Sequence, residues 1–477
     1  MKQNKTPLAD ALINNATDEI VSFDVPGHKS NILELSEYFG NQCIKFDKNS
    51  RCSIDNLCQP TGVIRESEDL AAEAFGAKNA FFMIGGTTSS VQAMIMSTCT
   101  HGDKIILPRN VHSSVLNGII LAGALPVYIN PGTHDELGIS LGMSLDDVKQ
   151  TIANNTDAKA IFVNNPTYYG ICSDLEEIVK IAHENNIFVL VDEAHGTHFY
   201  FHDQLPKSAF QCGADMTAVS MHKTGGSLTQ SSLLLTNNDI DEEHVRSIIN
   251  LSRTTSASYL LMASLDIARK KMALEGNTLL NNLLSQVKKT RDMINAIGDY
   301  YAFAEEIIGY KTIYDFDKTK LSINTSNLGL SGVEVYKLLR DKYKIQIEFG
   351  DIRNILAVTS IADKEENFEI LLKALKSIKE KYKTNNMIPF KYEYITPIIK
   401  MSPSKAFYSM QKKILINSSK GYISGDYIMC YPPGIPILAP GEQITQEIID
   451  LIVYSTEKGC TISGLGNSTP EFINVLL

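Results

Sequence analysis

From about residue 70 the chain alternates short apolar runs with stretches that are apolar on one helical face, the pattern of strands and helices in βα order. Residues 80–84, 104–107, 125–129, 160–164, 188–191, 216–220 and 231–235 read as strands. Gly85-Gly86 supplies a turn into a helix from about Ser90, and residues 176–185 set Ile178, Ile181 and Ala182 at helical spacing. Residues 260–284, rich in Leu, Ala, Met and Lys, predict a long helix leaving this lobe. Between 285 and 380 helical and strand-like pieces alternate, with 344–348 and 355–360 strand-like. The polar run Glu380-Lys381-Tyr382-Lys383-Thr384-Asn385-Asn386 reads as a linker. A C-terminal piece follows, containing Tyr431-Pro432-Pro433-Gly434-Ile435-Pro436. The expected organisation is an N-terminal arm over 1–60, a large domain over 61–284, a smaller α/β domain over 285–380 and a C-terminal domain over 381–477.

Composition narrows the class. A chain of 477 residues, 44% hydrophobic and 21% charged, is long enough for one large and one or two smaller lobes of globular protein. Its formal net charge of −10 argues against a nucleic-acid or anionic-membrane surface. Eight cysteines are scattered without a Cys-x-x-Cys pair, which reads as thiols in a reducing compartment. The N-terminus leads into no apolar signal core, and no run approaches the ~20 apolar residues that span a bilayer. The expectation is a soluble cytoplasmic protein.

Three strand-end segments carry candidate chemistry. Gly85-Gly86-Thr87-Thr88-Ser89 joins a strand to a helix, so its amides and hydroxyls fit a phosphate cradle, or merely a capped helix start. Asp192 ends the apolar run 188–191, where open α/β sheets bind ligands beyond the carboxyl ends of their strands. Lys223, in Ser220-Met221-His222-Lys223, follows Asp192 by 31 residues on the loop after the next strand. Alone it is one lysine among many. In that company it fits an amine nucleophile that forms a Schiff base with pyridoxal phosphate, with Asp192 holding the pyridine nitrogen protonated. His112, after the strand ending at Leu107, could stack on the pyridine ring or be a loop histidine. His195, His198 and His202 have spacings that fit a metal, but no His-Glu-x-x-His occurs and Phe199-Tyr200-Phe201 interrupts them, so no metal site is expected.

Taken together these strings resemble the class I Orn/Lys/Arg decarboxylases, fold-type-I pyridoxal phosphate enzymes whose large domain is like that of aspartate aminotransferase. The resemblance runs through Val25-Pro26-Gly27-His28-Lys29, the Gly-Thr-Thr-Ser cradle, Arg109-Asn110-x-His112 and Asn165-Pro166-Thr167-Tyr168-Tyr169-Gly170. It continues through Asp192-Glu193-Ala194-His195-Gly196, Ser220-x-His222-Lys223, Thr254-Thr255-Ser256 and the 261–266 segment, and ends in Pro432-Pro433-Gly434-Ile435-Pro436 with Pro440-Gly441-Glu442. It implies that Lys223 carries the cofactor, Asp192 pairs with its pyridinium and His112 stacks on it, with Ala194 and His195 on the other side. Thr88, Ser89, Ser220 and His222 would hold the phosphate. Thr254 would reach the phosphate of a neighbouring subunit, which implies a homodimer. Ser113 stands where the family often has Lys, and no receiver-like domain precedes the core, as in the short form of Gram-positive bacteria.

The implied reaction is decarboxylation of a basic amino acid. Lys223 or His222 would return a proton to Cα, and Glu442, then Glu348 and Asp351, would grip the cationic tail. The short-form resemblance puts arginine, giving agmatine, ahead of lysine, giving cadaverine, and ornithine, giving putrescine. Two other readings stand beside it. A different fold-type-I enzyme, an aminotransferase or lyase, would turn Arg353 or Arg340 toward the substrate carboxylate. An inactive regulatory relative would fail to bind the cofactor.

Overall fold

The computed structural model describes residues 2–17, 21–51, 53–237, 239–386, 388, 394–431, 434–457, 459–463 and 471–477. Seven strands form the central sheet: β1 (Asn79–Met83), β2 (Lys104–Pro108), β3 (Leu125–Ile129), β4 (Ala158–Asn164), β5 (Phe188–Asp192), β6 (Met216–Val219) and β7 (Ser232–Thr236). Their order is β1-β7-β6-β5-β4-β2-β3, and β7 runs antiparallel to both its neighbours while the other pairs are parallel. Side chains alternate between the two faces, as a pleated strand requires. Ile105, Leu107 and Leu190 join one buried cluster, whereas Ile106, Val189 and Val191 join the other. Both faces are therefore covered, the sequence-predicted α/β class, and all seven expected strands are present.

The long helix begins as expected but runs from Tyr259 to Ile297, past the position at which it was expected to stop. At 39 residues it extends roughly 60 Å, and its buried face threads one cluster shared by the large and smaller lobes. The 261–266 segment serves an anchor. Asp266 accepts from the Leu8 amide at 3.1 Å and pairs with Arg269 at 2.6 Å, and Arg269 donates to the Gln3 and Lys5 carbonyls at 2.7 Å each.

The smaller lobe carries an antiparallel sheet in the order Phe349–Gly350, Asn354–Val358, Lys320–Asn324, Tyr301–Phe303. Residues 344–348, expected as a strand, instead follow helix Gly332–Tyr343, with Lys344 capping it in the left-handed region. The expected linker is also partly helix. Glu365–Tyr382 is continuous because Phe368, Leu371, Leu375 and Ile378 keep a buried stripe facing the lobe, which the polar residues after Lys379 simply extend. The C-terminal residues build their own core from Ile416, Ile428, Leu438, Ile448 and Ile452 around helix Gln446–Glu457. Pro432 and Pro433 lie outside the described residues. The seven described cysteines are free thiols, and among the described residues no helix is long and apolar enough to cross a membrane.

One ion pair fastens the C-terminal part to the sheet. Arg109, just beyond β2, donates to both oxygens of Glu442 at 2.6 and 2.8 Å and to the Ile437 carbonyl at 3.1 Å. Both partners are buried, so removing one strands a charge in a dry site. Glu442→Ala should cost about 3–5 kcal/mol in urea unfolding, and Arg109→Met/Glu442→Leu together should cost clearly less. Equal losses from single and double variants would contradict this assignment.

Candidate active site

The carboxyl ends of β5 and β6, the turn after β1 and the loop after β2 enclose a cavity of about 310 Å³. It is lined by Thr88, His112, Asp192, Ala194, His195, Ser220, His222 and Lys223, all singled out in the sequence. Strand register explains the assembly: Asp192 is the last residue of β5 and lies opposite Ala218 of β6, so the β6 loop returns Lys223 to the same edge. Asp192 is buried in the cavity wall and accepts the Ala194 amide at 3.1 Å, which fixes its carboxylate. Lys223 sits in a single wide turn, Met221–Gly225, where a Cβ on Gly225 would meet the Met221 side chain at 2.9 Å. Burial pulls the Lys223 amine below its ordinary pKa, with Asp192 and then Glu348 opposing.

His112 caps helix Ser113–Ala122, accepting the Ser114 amide at Nδ1, so its neutral ring carries the proton on Nε2. Burial lowers its pKa, opposed by Asp192 and reinforced by Lys223, which leaves a flat uncharged ring at the cavity wall. His222 also loses basicity through burial, and its Nδ1 donates to the Ser231 carbonyl at 2.9 Å. His195 bridges two amines, Lys223 at 3.0 Å from Nε2 and Lys320 at 3.1 Å from Nδ1, beneath the Tyr168 ring at 4.3 Å.

Several expected residues stand elsewhere. Ser89 turns its hydroxyl back to the Gly85 carbonyl at 3.1 Å, an ordinary first-turn helix contact, while Thr87 bonds Ser220. Thr254, expected at the phosphate of a neighbouring subunit rather than in its own cavity, is exposed on the loop after helix Glu242–Ser252, its hydroxyl accepting the Ser256 amide. Glu442 is committed to Arg109 and does not line the cavity, because the buried guanidinium occupies both its oxygens. Asp351 is a buried turn acid, held by Tyr169 and by the amides of Arg353 and Asn354. Only Glu348 of the three proposed acids reaches the site, in an outer cleft of about 440 Å³ that shares Tyr168 with the cavity and is also lined by Tyr336, Arg340 and Tyr431. Arg353 donates to the carbonyls of Glu136 and Ile388, away from the cavity. Arg340 faces the cleft but is paired with Asp341 at 2.8 Å. His198, weighed as a metal ligand, bonds Asp317 at 3.0 Å and Thr224 at 3.2 Å.

The donor set fits pyridoxal phosphate. A desolvated amine suits its aldehyde, a buried carboxylate its pyridine nitrogen and a flat neutral imidazole its ring. The first turn of helix Gly86–Thr98, whose amides have no intrahelical acceptors, suits its phosphate together with Thr87, Thr88 and Ser220. Comparison with known proteins gives the same reading. The model for the major domain of Orn/Lys/Arg decarboxylases matches residues 6–367, and that for their C-terminal domain matches 386–468. The chain belongs to the Orn/Lys/Arg decarboxylase family.

Within this family the protein is 41% identical to the arginine decarboxylase of Bacillus subtilis (strain 168), over all of this chain and 99% of that one. It is 24% identical to the constitutive lysine decarboxylase of Escherichia coli (strain K12), over 95% of this chain and 78% of that one. The crystal structure of the Francisella novicida lysine decarboxylase superposes with a TM-score of 0.86 at 20% identity, covering 99% of this chain and 81% of the other. An SPT variant solved with PLP shares the fold more loosely, with a TM-score of 0.53 over 79% of this chain and 86% of that one. Family membership makes the protein a decarboxylase, and the family implies pyridoxal phosphate.

Tyr168 and Gln230, which line the cavity, and Lys320 behind it were not singled out as site residues from the sequence, and for Lys320 no local signal exists. Glu193 is a different omission, hidden inside a motif that was read. Its carboxyl is fully buried behind Asp192, bonded by Tyr200 at 2.5 Å and by the Ala209 amide at 2.9 Å. Burial pushes it up to about 8, against the hydrogen bonds of Tyr200, Ala209 and Thr217. A raised folded pKa means the protonated form is favoured in the fold, so stability is present below the unfolded value and is lost as pH rises toward 8. Glu193→Gln should therefore melt close to wild type near pH 5 and several degrees above it near pH 9. An unchanged difference across that range in thermal scans would contradict the assignment.

Proposed function

We propose that this protein decarboxylates arginine to agmatine, using pyridoxal phosphate held by Lys223. The observation that carries the substrate assignment is full-length identity of 41% to a protein named arginine decarboxylase. Lys223 would hold the aldehyde, Asp192 the pyridine nitrogen, His112 and Ala194 the two ring faces. Thr87, Thr88, Ser220 and the first-turn amides would hold the phosphate. When bound, the cofactor supplies an electron sink for the pair left by departing carbon dioxide.

The chain supplies orientation, exclusion of water and a proton. Tyr168 and His195 close one side of the cavity, and buried Ala194 leaves room for a flat ring against the backbone. Between the two candidate proton donors, geometry favours Lys223. The hydrogen bond to Ser231 places the His222 proton on Nδ1 and leaves a lone pair at Nε2, an acceptor rather than a donor toward the cavity. Glu348, exposed in the outer cleft beside Tyr168, Tyr336 and Tyr431, offers a carboxylate and aromatic faces to a guanidinium. Lysine and ornithine present a point charge that would use the carboxylate but less of the aromatic wall.

A second copy of the chain belongs to this reading. Thr254 is exposed and outside its own cavity, and the N-terminal arm carries Phe23 and Tyr38 at 94% and 86% exposure, surface that a partner would cover. Sedimentation at micromolar concentration should give a dimer or larger; a fully active monomer would overturn it.

Carbon dioxide release is the direct test of the reaction. Purified protein with pyridoxal phosphate should act on arginine at least tenfold faster, in kcat/KM, than on lysine or ornithine. Lys223→Ala should abolish release, and Glu348→Gln should raise KM for arginine about tenfold, the loss of one charge-assisted contact. Release from lysine alone would replace the substrate assignment, and release that survives Lys223→Ala would overturn the site.

A further inference from the structure

Lys320 is the first residue of strand Lys320–Asn324, and its side chain is among the largest fully buried ones in the molecule. Buried lysines are rare and usually face a carboxylate. Here the amine meets an imidazole: Nζ lies 3.1 Å from His195 Nδ1, and the opposite nitrogen, Nε2, lies 3.0 Å from Lys223 Nζ. Asp317, the acid that most opposes its loss of charge, has its Oδ1 taken by His198 at 3.0 Å and by Thr319 at 2.7 Å, and its buried Oδ2 makes no hydrogen bond to Lys320. The stem is held as well. A Cβ on Gly170 would come within 2.9 Å of Lys320 Cγ, and Gly170 has φ +94°, so glycine there makes the room that Lys320 fills.

Hydrogen-bond complementarity limits the protons this triad can hold. A neutral imidazole has one N–H and one acceptor nitrogen, and an ammonium only donates. Burial, Lys223 and Lys320 all depress His195 well below its ordinary pKa, so its ring is neutral. Both lysines therefore cannot be ammonium while both bonds are kept. In one arrangement Lys320 is charged and donates to Nδ1, while Nε2–H donates to a neutral Lys223. In the other Lys223 is charged, Nδ1–H donates to Lys320, and Lys320 is the free amine.

We infer that Lys320, His195 and Lys223 form a proton relay, in which one of the two amines holds the charge at a time and the imidazole passes the proton between them. The exchange balances within the triad. N–H bonds break at Lys320 Nζ and His195 Nε2, and form at His195 Nδ1 and Lys223 Nζ, with net charge unchanged and the ring left as its other tautomer. Running backward resets it. The groups that bias the proton are Asp192, Glu348 and His112 around Lys223, and Asp317 and His198 around Lys320. Burial brings Lys320 down to about 8, aided by Lys223 and opposed by Asp317 and Glu348, so it holds its proton less firmly than an ordinary lysine. Lys320 is a positioning residue. The inference rests on the reading of Lys223 as the cofactor-holding amine.

The test reads Lys223 protonation apart from catalysis. Carbamylation of Lys223 by cyanate in the cofactor-free full chain is followed by peptide mass spectrometry from about pH 6 to about pH 10. Lys320→Met removes the repelling charge and should raise the Lys223 midpoint by about one pH unit, with labelling at pH 7 about tenfold slower. His195→Gln can bond both amines but cannot pass a proton. It should leave that midpoint within about 0.3 unit while lowering kcat of the holoenzyme at least tenfold with KM unchanged. A Lys223 midpoint unmoved in a folded Lys320→Met, or full kcat in His195→Gln, overturns the relay. If Lys320→Met does not fold, the His195→Gln result decides alone. A shifted midpoint in a protein that decarboxylates none of the three amino acids would keep the relay and sink the proposed function instead.

Discussion

Strands β5 and β6 run parallel with Asp192 opposite Ala218, and their carboxyl ends share one edge of the central sheet. That register sets a carboxylate and the start of the Lys223 loop side by side before any loop geometry is considered. The parallel β4 adds Asn164 opposite Asp192, and the loop after β2 brings His112 to the same edge. A slip of one residue between β5 and β6 would turn Asp192 to the other face and dismantle the cavity. The apolar alternation of the strands, divided cleanly between two buried layers, is what forbids that slip.

Placing polar groups at such an edge means burying them, and the molecule offsets much of that cost by pairing. Glu193 is neutralised by burial and bonded by Tyr200 and the Ala209 amide. Arg109 and Glu442 neutralise each other where the C-terminal part meets the sheet. Lys223 and Lys320 share one imidazole rather than each holding an acid. The Lys223 amine is thus kept in a low dielectric beside a second amine, a setting that favours its uncharged, nucleophilic form.

Where a residue's place is set by its own segment, the sequence showed it. Asp192, Lys223 and His112 stand at strand ends flanked by apolar runs, so their shared edge followed from strand order alone. Roles set by distant partners were hidden. Glu442 read as a free acid because Arg109, its partner, lies 333 residues away. Ser89 and Thr87 differ only in which side of the helix start they face, and a run of hydroxyls does not encode that. Lys320 carries no motif at all; its burial arises when the smaller lobe closes over Gly170. The linker expected after Lys379 failed for a simpler reason, since polar composition outweighed a buried helical stripe that continues to Ile378.

Two lysines, half-buried Lys223 and fully buried Lys320, stand on either side of His195, and the account requires that only the first meets the cofactor. Borohydride reduction of the protein with bound pyridoxal phosphate, followed by peptide mapping, separates them directly. The account expects one phosphopyridoxyl group per chain on Lys223 and none on Lys320. A label on Lys320, or none on either lysine in a folded and saturated protein, would contradict it.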